Sequence, residues 1–353
     1  MSCSAYKGSY AGYIRRKKLF LAGLLLLTVI TAFAALAFGP AGLTLRETAA
    51  ALFGFGSPQA RTILFNIRLP RILTAIIAGI GLASAGCVMQ SLLKNPLASA
   101  STLGVSQGAA FGAAFAITVL NAGMQNPTPG TVSFSDPYLI FICAFTGSLL
   151  PTILILLLSC FRHISPEGMI LTGAALSSFF SGAVMILQYF ADDTKIAAIV
   201  FWTFGNLGNT AGSEIAVMTA VTAVSCLYFY FNRWNCNALQ TGENTAKGLG
   251  VETDRLRITG MLVSSLTVSV IVSYIGIINF IGLIAPHLMR RPVGSDYRYL
   301  LPASALCGSI LLLAGDTVSR LILVPVVLPI GAVTTFLGAP LFLYLILKGG
   351  HRR

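Results

Sequence analysis

Charge is what this sequence has least of. Acidic and basic residues together make up 10% of its 353 residues, against about 25% in a soluble domain. Only 11 of them are acidic, against 23 basic, for a formal net charge of +12. A chain this poor in charge and 56% apolar would expose far more apolar surface than a soluble monomer tolerates. The seven cysteines form no CxxC pair and no metal-ligand spacing, and most lie inside apolar runs, where Cys serves as a small hydrophobe. No GxxxxGK(S/T) phosphate loop is present, so the chain does not hydrolyse ATP by that route. The basic residues fall in short clusters between apolar runs, a placement that argues against nucleic acid as a partner.

What is present is one length, repeated. Mostly apolar stretches of about 20 residues, enough to cross a hydrocarbon core of about 30 Å, recur throughout. Ten spans are expected near 19–38, 70–92, 99–120, 137–161, 168–190, 212–231, 257–278, 279–290, 299–318 and 330–347. The fold class is therefore all-α, a polytopic membrane protein with about ten transmembrane helices. The eighth span is too short alone and should be tilted or buried in protein, where neighbours satisfy its backbone. Arg15 to Lys18 precede the run Leu19–Phe38, whose 20 residues exceed the roughly 7–15 of a signal sequence; it is read as a retained span. This gives an N-terminal segment 1–18, a membrane domain 19–348 and a tail 349–353.

Short-loop Lys and Arg set orientation. With both termini inside, 17 of the 23 basic residues face the cytoplasm. Arg46, Arg61, Arg68, Arg71, Lys195 and Arg320 remain outside and call for a reason. The outer connection 39–67 should hold a short helix opened by the capping box Thr44-Leu45-Arg46-Glu47, with Leu45, Ala49, Leu52 and Phe53 on its apolar face. The inner connection 232–256 should hold an amphipathic segment Glu243 to Leu249 closed by Gly250. The segment 121–136 reads as an external turn. Four-span blocks beginning at Arg68-Leu69 and Arg255-Leu256 would suit inverted repeats, a common transporter plan.

The acidic residues, Asp316 among them, fall at span ends or in loops, which disfavours a proton-coupled carrier with ionisable groups inside the membrane. His287 reads as a helix-end histidine. Gly104, Gly108 and Gly112, Gly79 with Ala83, and Gly173 with Ser177 and Ser181 put small residues on single helix faces, allowing close backbone approach. Ser177, Ser178 and Ser181 also stand as candidates to line a wetted path. For the outer arginines, local alternatives are an ion pair of Arg320 with Asp316 four residues before it and headgroup anchoring of Arg68 and Arg71.

Arg68-Leu69-Pro70-Arg71, Gly86 to Gln90, Asn95-Pro96-Leu97-Ala98 and Leu103 to Ala109 follow one another in order. Further on stand Phe280 to His287 with Arg290, then Leu328-Pro329-Ile330-Gly331 and Gly338-Ala339-Pro340. Together these resemble the FecCD-type permeases, membrane subunits of importers for iron chelates, haem and cobalamin, over about residues 20–348. The resemblance implies a type II ABC importer permease fold in the inner membrane of a prokaryote. It implies a homodimer with two cytoplasmic ATPase subunits, which use ATP and Mg, and an external substrate-binding protein. No cofactor or metal is expected on this chain, and no catalytic residue. The ATPase-coupling segment then corresponds to about 235–251, with Glu243, Asn244, Ala246, Lys247, Leu249 and Gly250; Gly248 should weaken its helix by about 1 kcal/mol relative to Ala. Binding-protein docking carries over to Arg68, Arg71 and Arg320, and the cytoplasmic gate to the turn at Ser165 and Pro166.

The uncharged path suits a bulky ligand, where a bare ion would call for a ring of charged ligands. An iron–siderophore complex is the first reading, followed by haem, cobalamin and an oxyanion such as molybdate. An ion-gradient-driven secondary transporter is the alternative from another class; a membrane-embedded enzyme would show clustered catalytic polar groups, and none is evident.

Overall fold

The computed structural model describes residues 3–40, 45–52, 54–123, 134–162, 164–324 and 326–350. The elements in chain order are α1 (Cys3–Ala37), α2 (Leu45–Leu52), α3 (Pro58–Thr62), a π-turn (Ile63–Arg68), α4 (Leu69–Leu92), α5 (Val105–Thr118), α6 (Pro137–Arg162) and α7 (Pro166–Tyr189). They continue with α8 (Asp193–Thr203), α9 (Gly212–Phe231), α10 (Arg233–Gln240), α11 (Glu243–Gly248), α12 (Thr253–Ile275), α13 (Ile281–Val293), α14 (Tyr297–Leu321) and α15 (Ile330–Gly350).

Each of the ten expected spans falls on one of these helices. Seven helical stretches among the described residues are long and apolar enough to cross a membrane, in α1, α3–α4, α6, α7, α9, α12 and α14; α5 and Ile330–Tyr344 of α15 are shorter. The second span is longer than expected, because α3, the π-turn and α4 run on as one helix from Pro58 to Leu92. Pro70 explains the π-turn. It has no N–H and crowds the carbonyl four residues back, and the wider turn just before it, where the Leu69 N–H reaches the Leu64 carbonyl, absorbs that conflict.

The expected eighth span is a half-helix. The 13 residues of α13 extend about 20 Å at 1.5 Å per residue. Gly276–Phe280 separates it from α12, with positive φ at Gly276 (76°) and Phe280 (67°). Such backbone inside a membrane protein must be satisfied by protein. The Ile275 carbonyl accepts from the Asn206 N–H at 2.7 Å, and the Phe204 carbonyl from the Gly331 N–H at 2.9 Å. The ends of α8 and α12 and the starts of α13 and α15 thus share one junction. α8 itself escaped the sequence reading, since 11 residues between Asp192 and Phe204 make neither a span nor a conspicuous amphipathic pattern.

The interior is built on close backbone contact. Gly79 faces Gly308 of α14, where a Cβ would sit 2.6 Å from the Gly308 carbonyl oxygen, and Gly86 faces Gly282 of α13 with no room for one. Gly108 and Gly112 meet α6, and Gly173 meets Leu103, so the expected small-residue faces are packing faces. The pairing is reciprocal: α4 packs on α14 and α12 on α6, while α5 packs on α6 and α13 on α14, as two related four-helix blocks would. In the first half of α1, the Lys17 ammonium lies 4.3 Å from the ring centre of Tyr13 and 5.2 Å from that of Tyr299, a cation–π contact that ties α1 to α14.

The outer helix α2 exists, but its buried positions are Thr48 and Ala51, while Ala49 and Leu52 are exposed. Its small side is the packed one because Gly56 abuts Ala51. Thr44, Phe53 and the turn residues 124–133 lie outside the described residues.

Candidate functional site

At one end of the bundle, α11 and Gly250 (φ 82°) reproduce the expected amphipathic segment closed by glycine. Gly248 is its last residue, not an interior one, so the expected loss of helix stability is smaller than it would be mid-helix. The segment divides its residues. Ala246 is buried and Glu243 half-buried, whereas Asn244, Lys247, Leu249 and Gly250 are exposed, Leu249 by 68%. Leu249 is thus an exposed apolar side chain beside Asn244 and Lys247, a face that no other described element covers.

The inward side of the segment is fixed by charge. Glu243 contacts Arg257 at 3.1 Å, Lys247 at 3.5 Å and Lys94 at 3.6 Å. Partial burial raises the pKa of this carboxyl, but Arg257, Lys94 and Lys247 outweigh that and leave it below the usual carboxylate range. The neighbouring α10 is anchored separately: Asn237 donates to Asp296 Oδ1 at 3.0 Å and accepts from the Tyr297 N–H at 2.8 Å. Burial also raises Asp296, and hydrogen bonds from Arg298 and Asn237 bring it below its ordinary value.

Ser165 and Pro166 form the start of α7. Ser165 is extended (ψ 160°) and its hydroxyl accepts from the Gly168 N–H at 3.2 Å, with Pro166 in the first turn, the N-cap arrangement. Of the candidate path serines, Ser177 donates to the Gly173 carbonyl and Ser178 to the Ala174 carbonyl; Ser178 is exposed, and Ser177 and Ser181 are half-buried. Elsewhere an open apolar cavity of about 740 Å³ lies beside the junction, lined by Phe204, Asn279, Ile322 and Leu328 together with α15 residues such as Phe336.

At the other end of the bundle, Arg68, Arg71 and Arg320 are drawn into the protein, and Arg68 and Arg71 do not reach out as headgroup anchors. Arg68 is 3% exposed and Arg320 4%, and the Arg71 side chain 12%. The reason is the open end of α1. Its last carbonyls have no helical partner and carry the negative end of the helix dipole. Arg68 donates to the carbonyls of Leu36 and Ala37, and Arg320 to those of Ala35 and Phe38. Asp316 lies 2.8 Å from Arg71 and 2.9 Å from Arg320, so the expected Arg320–Asp316 pair is present. Asp316 itself is in the last turns of α14 but only 1% exposed, a buried carboxylate and not the span-end solvent group expected. Lys195 follows the same logic, donating to the Thr118 carbonyl at the end of α5 and to Asn121 Oδ1. Arg46 and Arg61 are exposed.

The sequence reading counted Lys94 and Arg257 only as cytoplasmic charges and missed their convergence on Glu243. No spacing signals it, because the contacts join separate turns.

The chain is a membrane bundle with paired helix blocks, a broken helix and a short amphipathic helix between α10 and α12. The model of the FecCD transport family matches residues 26–348. The chain belongs to that family. FecCD members are transport subunits, and this one is the membrane permease of an ATP-binding-cassette importer, residing in the inner membrane. It is 50% identical over 339 residues to a chain of Methanocaldococcus jannaschii described as an ABC transporter permease protein, covering 96% of this chain and 97% of that one. It is 35% identical over 342 residues to the hemin transport system permease protein HmuU of Yersinia pestis, covering 95% and 97%. A solved structure described as an inward-facing, metal-chelate type ABC transporter superposes with a TM-score of 0.81 at 32% identity, covering 94% and 99%.

Proposed function

We propose that this FecCD permease pairs with a second copy of itself and imports an iron–siderophore chelate, with haem and cobalamin as the nearest alternatives. An external binding protein delivers the ligand. Two cytoplasmic subunits hydrolyse ATP with Mg, and this chain carries no cofactor and performs no chemistry on the cargo. The observation that carries the reading is α11: a short helix pinned on one side and presenting Asn244, Lys247 and Leu249 on the other. That face suits a moving ATPase subunit, and no other described element of this chain occupies it.

The cargo class follows from relatives that handle hemin and metal chelates, and from a path without a ring of carboxylates. The second copy has an apolar surface to meet on α7, where Leu171, Phe179, Met185 and Tyr189 are exposed. Both termini lie in the cytoplasm, in keeping with the basic residues of the short loops. On the outer face, Arg68, Arg71 and Arg320 shape the docking rim from beneath, and Arg46 and Arg61 supply accessible positive charge.

Reconstitution tests the reading. The permease alone in liposomes should give no uptake of ferric siderophore against a gradient, and adding the ATPase and the loaded binding protein should give ATP-dependent uptake. Accumulation by the permease alone under a proton gradient would replace the importer with a secondary transporter.

A further inference from the structure

Three segments far apart in sequence meet at one carboxylate. Glu243 Oε2, at the start of α11, lies 3.1 Å from Arg257 Nη2 on α12 and 3.6 Å from Lys94 Nζ just beyond α4. Arg257 spends its other nitrogens on the same joint: Nε donates to the carbonyl of Leu92, the last residue of α4, at 3.4 Å, and Nη1 to Asp254 at 3.2 Å. Its side chain is 7% exposed. Leu92 also lies against Gly260, where a Cβ would sit 2.5 Å from its Cδ1. The joint therefore locks the coupling segment to the cytoplasmic ends of α4 and α12.

The placement is informative. The residues of α11 that face outward are not the ones in the joint, Lys247 excepted, and the joint leads directly to α4, which contacts α13 and α14 through Gly86 and Gly79. An apolar contact at this position could slide, because it is non-directional. A largely buried guanidinium that bridges a carboxylate of α11, a carbonyl of α4 and Asp254 of its own helix has fixed geometry and resists separation, since parting removes its partners on the other two segments.

We propose that Arg257 and Lys94, gripping Glu243, are positioning residues that convert a displacement of the coupling segment into a displacement of α4 and α12. The inference rests on the importer reading and adds to it where the force is transmitted. α11 is received by the ATPase through its outer face, and pulls on the bundle through this joint.

The test uses the full assembly of permease, ATPase and binding protein in liposomes, reading ferric siderophore imported per ATP hydrolysed. The wild-type assembly is the control: its failure to import would remove the importer reading, whereas a failure confined to the variants' predicted effect removes only this inference. Arg257→Gln should lower the import-to-hydrolysis ratio about ten-fold, within the range of typical coupling between sites. Lys94→Gln, at an exposed loop position, should lower it in the same direction by a smaller factor. Combining Arg257→Gln with Glu243→Gln should cost no more than the larger single effect, because both break one joint. Co-purification of the ATPase should persist throughout. Ratios equal to wild type for Lys94→Gln and Arg257→Gln overturn the proposal. So does loss of ATPase co-purification, which would make the joint a builder of the docking surface and not a transmitter. If Arg257→Gln does not fold, Lys94→Gln and Arg257→Lys decide: the first must lower the ratio, and the second must retain more of it than the first.

Discussion

Arg71 on α4 and Asp316 on α14 are joined by a 2.8 Å ion pair across 245 residues of sequence. The same carboxylate serves Arg320, so one buried anion holds two guanidiniums beside the open end of α1. Removing it while leaving the cations should cost about 3–5 kcal/mol, the usual consequence of breaking a buried pair on one side. Asp316→Asn should therefore unfold at a clearly lower temperature than wild type in the same detergent. A melting temperature equal to wild type would mean that the arginines are compensated by helix carbonyls alone.

The outer arginines and the outer surface cations should separate in experiment. Arg68→Glu places a carboxylate against the carbonyl end of α1 and Arg71→Glu places one against Asp316, so the yield of folded permease should collapse. Arg61→Glu, at an exposed position, should leave folding intact and slow association of the binding protein, with a weaker dependence on salt. Gel filtration and binding in nanodiscs at low and high salt read both. Well-folded double variant with selectively lost binding would return Arg68 and Arg71 to direct contact with the partner.

Close helix packing gives a sharp contrast between two glycines. Gly86→Ala drives a methyl into the Gly282 backbone, and overpacking of this kind typically costs about 1–3 kcal/mol. Gly23→Ala meets nothing within 4 Å and should be neutral or slightly stabilising in its helix. Thermal unfolding of the two variants side by side is the check; equal melting temperatures would contradict the packing.

Glu243 gives a pH dependence of defined sign. Its folded pKa lies below the usual value because Arg257, Lys94 and Lys247 outweigh partial burial. The stability it contributes is present above the unfolded carboxylate value of about 4.3 and is lost as pH falls through the lower, folded value. The melting-temperature gap between wild type and Glu243→Gln should thus be constant near neutrality and close on acidification. A gap that widened in acid would reverse the assignment.

Much of the fold was legible because bilayer crossing imposes a length on apolar runs, and every expected span lands on a helix. The coupling segment was equally readable, down to the glycine that ends it, because amphipathicity and a closing glycine are local signals. The charged residues were harder. Arg68 and Arg320 break the positive-inside pattern, but what they bind is the end of a helix whose carbonyls no residue type announces. Arg257 and Glu243 look like ordinary loop charges until the fold brings them together beside the end of α4. α8 was missed because the turn that ends it is tied to Ile275 and Gly331, far along the chain, and nothing local requires it to turn back into the bundle.

The junction where α8, α12, α13 and α15 meet has a consequence for how the chain is made. Neither α8 nor α13 is long enough to be threaded across a bilayer as an autonomous segment, and the carbonyl that ends α12, at Ile275, takes a donor from Asn206, with Gly331 closing the α8 end much later in synthesis. During translation these pieces must wait, either in the insertion machinery or partly withdrawn toward water, until α15 has emerged. Chains interrupted before residue 330 should then keep α13 accessible to proteases and to aqueous thiol reagents, and gain protection in a single late step when the last helix arrives.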